Sequence, residues 1–162
     1  MNKRDISALI AYNFWADEHI FAPCERITGA EFTRKVIPDP GWGSLRGILV
    51  HVLDAENGWR LNLEEQNASE LLEEADFADV SELRTRWEVE HAAWLAYEAG
   101  LREDVLNESR GSTLNVWQVI VHVVNHGTQH RGEAAAILTG YNQSPGDIDF
   151  DTFLSEHPEY GG

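Results

Sequence analysis

Three histidines recur every fourth residue in the stretch His122-Val123-Val124-Asn125-His126-Gly127-Thr128-Gln129-His130-Arg131-Gly132-Glu133. On a helix a step of four residues turns the side chain by only about 40°, so the three imidazoles form one row. Two imidazoles at i and i+4 can share one ion, the spacing used by zinc-binding helical metalloproteases. All three cannot: His122 and His130 stand roughly 12 Å apart along the axis, and metal–nitrogen bonds are near 2 Å. The row therefore offers His122/His126 or His126/His130, with a further ligand from another helix. His126 belongs to both pairs. Val119, Val123, Ala134 and Ile137 fall on the same side, which predicts that the row points into a helical core, where an unpaired polar group is costly. One inward histidine is readily satisfied by a core hydrogen bond. Two in succession need two such partners, and a shared ion meets both needs at once.

Four other histidines are available. His157, beside Pro158, and His91, flanked by Glu88 and Glu90, read as exposed, and His19 is undecided. His51 differs, because it lies at the edge of an apolar helix face in Gly47-Ile48-Leu49-Val50-His51-Val52-Leu53. Gly47 and Ala55 neighbour it at i−4 and i+4, and Gly58 follows at i+7. Small neighbours leave room for an ion, or they only permit close helix packing; this helix alone does not choose. Joined to His126 and His130, His51 would complete three neutral nitrogen ligands with positions open to water or substrate, as in a catalytic metal site. The lone cysteine, Cys24, has no histidine motif around it and reads as a small packing residue.

The elements that must position these residues read as four amphipathic helices, over about 2–26, 44–65, 79–99 and 114–138. In the first, Ile6, Leu9, Ile10, Phe14, Ile20 and Phe21 recur at helical spacing, and Pro23 near its end is expected to kink or shorten it. Thr28 to Gly43, with Pro38, Pro40, Gly41 and Gly43, reads as a loop. Ser44 caps the second helix, whose packing face carries Leu45, Ile48, Leu49, Val52, Trp59 and Leu63. Glu70 to Ala78 is either a short turn or an acidic loop. Leu83, Trp87, Trp94 and Tyr97 supply the third helix, stopped by Gly100. Val105-Leu106 reads as a short strand or extended connection, Thr113 as the cap of the fourth helix, and Asp151 to Ser155 as a turn in a loop tail. The expected fold is an all-α, single-domain four-helix bundle over 1–162.

Composition bounds the function. The chain has 162 residues, 43 % of them hydrophobic, with 6 Trp and a formal net charge of −16. That charge excludes a phosphate backbone as partner, since nucleic-acid affinity comes from neutralising phosphates with Lys and Arg. No apolar run approaches the roughly 20 residues that span a bilayer. The start, Met1-Asn2-Lys3-Arg4-Asp5-Ile6, does not read as a signal peptide. A single cysteine excludes an intrachain disulfide. The expected location is the cytoplasm, with neither membrane nor nucleic acid as partner.

The stretch Asn125-His126-Gly127-Thr128-Gln129-His130-Arg131-Gly132-Glu133 resembles the N-H-x-x-x-H-R-G-Q motif of the DinB family. Tyr12-Asn13-Phe14-Trp15-Ala16 is similar to that family's Y-N-x-W-A element, and His51 through Glu56 and Trp59 to its apolar helix with a single histidine. The motifs occur in order over nearly the whole chain. The resemblance implies an up-and-down-type bundle, often a homodimer, with one divalent transition metal, nickel or zinc, on His51, His126 and His130. It thereby chooses His126/His130 over His122/His126. One departure is Glu133, where the family commonly has Gln. The family includes enzymes that use small thiols, so the expected activity is metal-dependent chemistry on a small molecule, such as thiol S-transfer or hydrolysis, with a low-molecular-weight thiol as cofactor. Glu56 and Glu133 are candidate general bases. Arg131 is a candidate for steering an anion, or else a solvated surface group. The alternative is a non-catalytic stress-response protein with a structural metal, but such an ion takes a fourth protein ligand and none is obvious.

Overall fold

The computed structural model describes residues 1–36, 42–67 and 71–161, and no strand occurs among them beyond an isolated bridge between Ser109 and Asn115. Six α-helices lie among the described residues: α1 (Lys3–Cys24), α2 (Gly29–Thr33), α3 (Leu45–Leu63), α4 (Val80–Gly100), α5 (Val116–Gly140) and α6 (Phe150–Glu156). The four long ones pack in a ring, α1 against α5 and α4, and α3 against the same two.

The starts of the helices follow from capping. Asn2 and Asp5 form a capping box at α1, the Ser44 hydroxyl accepts from the Gly47 amide at α3, and an Asp79 carboxylate oxygen accepts from the Glu82 amide at α4. Helix α5 begins at Val116 rather than Leu114, because Asn115 with Gln118 supplies the capping box in place of Thr113. Thr28 to Gly43 is not all loop: Thr28 and Glu31 form another capping box, and Phe32 is wholly buried, so one short helix, α2, forms there. Pro38, Pro40 and Gly41 of that segment, and Glu70 of the acidic segment, lie outside the described residues. Val105 and Leu106 are neither strand nor extended. Val105 closes a single 3-10 turn begun at Glu103, and both side chains are buried. A second such turn covers Glu74–Asp76, and the tail forms α6 in place of a bare turn.

Burial of apolar side chains, worth about 1.5–3 kcal/mol for each large one, holds the ring together. One cluster joins Phe21, Leu49, Leu53 and Trp87, and another joins Ile6, Trp94, Leu106 and Val119. A third docks α6 through Phe153 on Tyr12, Ala16 and Val124. The Tyr12 hydroxyl donates to the Ile148 carbonyl at 3.1 Å and fixes the approach to α6. No helix is long and apolar enough to cross a membrane among the described residues.

Candidate metal centre

His51 on α3 meets His126 and His130 on α5 where these two helices pack together. One ligand nitrogen from each lies within 4.8 Å of the others, so the group could hold a metal ion. The His51 and His126 Nε2 atoms are 3.0 Å apart, and the ring centroids of His51 and His130 are 4.8 Å apart. Burial, followed by the charge that His130 can carry, lowers both His51 and His126 to a pKa of about 4. Both imidazoles are therefore neutral near pH 7, the state in which a histidine ligates.

Two neighbours hold the rings. Nδ1 of His130 lies 2.9 Å from a Glu133 carboxylate oxygen, which directs the opposite ring nitrogen toward the other two histidines. Trp42 stacks on His51 with centroids 3.6 Å apart and planes 13° from parallel. Gly47 lets this loop approach: a Cβ there would stand 2.2 Å from the Trp42 carbonyl oxygen. Close approach of backbone, rather than room for an ion, is thus what Gly47 provides. A cleft of about 610 Å³ adjoins His51, lined by Trp42, Val50, Leu71 and Leu72 with Lys35 and Arg46. Both of these cations pair with Glu74 at 3.3 Å.

The histidine row does not point uniformly inward. It runs from exposed His122 through half-buried His126 to buried His130, and His122 packs at 5.0 Å against Trp59, outside the triad. Gradation along the row follows from its 40° drift per step.

The other candidates are placed elsewhere. Arg131 is neither at the surface nor turned toward an outside anion. It is 1 % exposed, and its Nη1 donates to Asn13 Oδ1 and to Asp17 Oδ1, each at 2.8 Å. Glu56 is equally buried and accepts from Asn13 Nδ2 at 2.6 Å. Its carboxyl is raised well above the usual range, by burial first and by the Asp17 charge second. His91, far from lying on an exposed face, stacks on Phe14 at 3.9 Å and sets Nε2 3.3 Å from Asp17 Oδ2. His157 is partly covered by Phe153. Cys24 is buried, which pushes its thiol up to about 12.

A sequence model of the DinB family matches residues 1–157. The chain belongs to the DinB family. It is also 27 % identical over 164 residues to Protein DinB of Bacillus subtilis (strain 168), an alignment covering 91 % of this chain and 94 % of that protein. The all-α architecture of this DinB-family chain agrees with that membership.

The sequence reading passed over Trp42 and Asp17 and gave Asn13 no role beyond its place in the Y-N-x-W-A element. Trp42 sits in a loop and gives no periodic signal. Asn13 and Asp17 did leave one: with Ile6, Ile10, Ile20 and Cys24 they complete a single helical stripe, in which two polar residues interrupt an apolar series.

Proposed function

We propose that this DinB-family protein is a metal-dependent enzyme acting on a small molecule, with one nickel or zinc ion on His51, His126 and His130. The observation that carries this reading is the convergence of three imidazoles from two helices, two of their Nε2 atoms 3.0 Å apart. Two neutral rings facing each other nitrogen to nitrogen can share at most one hydrogen bond, whereas a divalent ion uses all three donors. All-imidazole ligation suits both zinc and nickel. A bound ion would supply Lewis acidity, lowering the pKa of a thiol or a water toward neutrality.

The chain's own residues supply orientation. Glu133 fixes the tautomer and tilt of His130, and Trp42 holds the plane of His51. Of the two candidate bases, Glu133 is the one beside the triad, while Glu56 belongs to a separate buried cluster. With no fourth histidine, cysteine or carboxylate grouped with the triad among the described residues, open positions remain for a substrate, which favours catalysis over a structural ion. Thiol S-transfer fits such a site: a small thiol would be the nucleophile and the Trp42 cleft would receive an electrophile. The reading includes a single domain, a cytoplasmic location and a homodimer.

Incubation of zinc- or nickel-loaded protein with low-molecular-weight thiols and electrophilic acceptors tests this. Thioether formation is expected, lost on chelation and in His126→Ala. Inactivity of fully loaded protein across thiols and acceptors would move the site to a structural role.

A further inference from the structure

A second polar cluster lies inside the helix ring, built from different residues. Asp17 on α1 is 2 % exposed, Glu56 on α3 is 1 % exposed, and His91 on α4 shows 14 % of its side chain to solvent. One ligand atom from each lies within 4.8 Å of the others. The cluster holds two carboxylates against the single guanidinium of Arg131, which is bound to Asp17 through Oδ1 only. Asp17 Oδ2 is left facing His91 Nε2 and the Asn13 amide. Glu56 Oε1 accepts from Asn13, while Oε2, completely buried, has no hydrogen-bond partner. An acceptor in that position calls for a proton or a cation.

The geometry favours a cation. His91 Nε2 and Asp17 Oδ2 stand 3.3 Å apart, long for a charge-assisted hydrogen bond. Two atoms bound to one ion at about 2.1 Å stand about 3.0 Å apart at octahedral angles and about 3.4 Å apart at tetrahedral ones, a range that contains this separation. The donors come from three helices, Phe14 holds the imidazole plane by stacking, and the partly exposed edge of His91 gives an ion its way in. We propose that Asp17, Glu56 and His91 form a second divalent-cation site, distinct from the histidine triad. Two carboxylates with one imidazole suit a harder ion than the triad does, such as Mn²⁺. Arg131 keeps Asp17 compensated whether or not the ion is bound. Gly127 is what admits Arg131, since a Cβ there would stand 2.7 Å from its Nη1.

The test is a titration of the full chain with Mn²⁺, read by loss of the free-ion electron paramagnetic resonance signal and by thermal unfolding. His126→Ala, which disables the triad, is expected to retain one Mn²⁺ per chain and to gain thermal stability from it. Glu56→Gln and His91→Gln should each weaken that uptake on the order of tenfold or more. Glu56→Gln keeps the shape of the side chain and the acceptor for Asn13, so it stays informative should His91→Gln fold poorly. Absence of uptake in the His126→Ala protein would overturn the proposal. So would uptake unchanged by both glutamine variants, which would mark diffuse binding to a chain of net charge −16. In either case a proton neutralises Glu56, and a protonated-carboxyl infrared band should vanish in Glu56→Gln. Because the triad is already disabled, these outcomes are independent of whether the triad holds metal.

Discussion

Two polar clusters share helices α3 and α5 and solve opposite problems. The triad of His51, His126 and His130 includes two half-buried bases, His51 and His126, whose charged forms are suppressed by burial first and by neighbouring imidazoles second. The cluster of Asn13, Asp17, Glu56, His91 and Arg131 buries an ion pair, Asp17 with Arg131, beside a second carboxyl that burial holds well above the usual range. The first can lose a member and leave a base that stays uncharged. In the second, neither Asp17 nor Arg131 can be lost without stranding the other's charge. The contrast sets a group of neutral donors against a buried ion pair, and it can be broken or sharpened by substitution.

The largest effect is expected for Arg131→Ala. Asp17 would remain buried without its cation, and urea unfolding should show a loss of about 3–5 kcal/mol. A loss below about 1 kcal/mol would mean that water reaches Asp17 freely. Next comes Glu133→Ala, which removes the carboxylate that orients His130. Calorimetric zinc affinity should fall roughly 10–100-fold, with Glu133→Gln falling less because the amide can still bond to Nδ1. Smaller again is His126→Ala in metal-free protein, where less than about 1 kcal/mol of stability should be lost. If that loss rivals the Arg131 variant, the contrast between the two clusters fails. The smallest effect concerns Cys24, whose folded thiol stays neutral up to about 12. The unfolded thiol ionises from its ordinary value of 9.0, so the stability that Cys24 contributes is complete below that pH and is lost as pH rises beyond it. At pH 9.5 the loss should be less than about 1 kcal/mol, absent in Cys24→Ala. Alkylation at pH 8 should proceed no faster than unfolding.

The two clusters also differ in how far the sequence revealed them. His126 was legible from i, i+4 spacing, a local property of one helix. His51, and the choice of His130 over His122, came from the family resemblance, because pairing between α3 and α5 depends on long-range packing that one helix does not encode. The buried charge cluster was mostly missed for the same reason: Asp17, Glu56, His91 and Arg131 come from four helices. Its trace was nonetheless present as polar interruptions of apolar stripes: Asn13 and Asp17 in α1, Glu56 and Arg60 in α3, and Glu90 between Trp87 and Trp94 in α4. Arg60 and Glu90 pair at 2.5 Å, so that interruption too is a buried partnership. His91 was misplaced because its neighbours Glu88 and Glu90 suggested a solvated face, whereas Glu90 is itself buried and paired. Helix α2 formed in a stretch that reads as loop, and the start of α5 moved, where a capping box outweighed the loop-like or single-residue signal beside it.

The central claim is that His51, His126 and His130 hold one ion together. Its most direct test is elemental analysis of tag-free protein purified without chelator, alongside His51→Ala, His126→Ala and His130→Ala. The nickel-plus-zinc content of the native chain should be at least one equivalent, and each variant should fall by about one equivalent. Native protein free of both metals, or three variants that keep the full content, would contradict it.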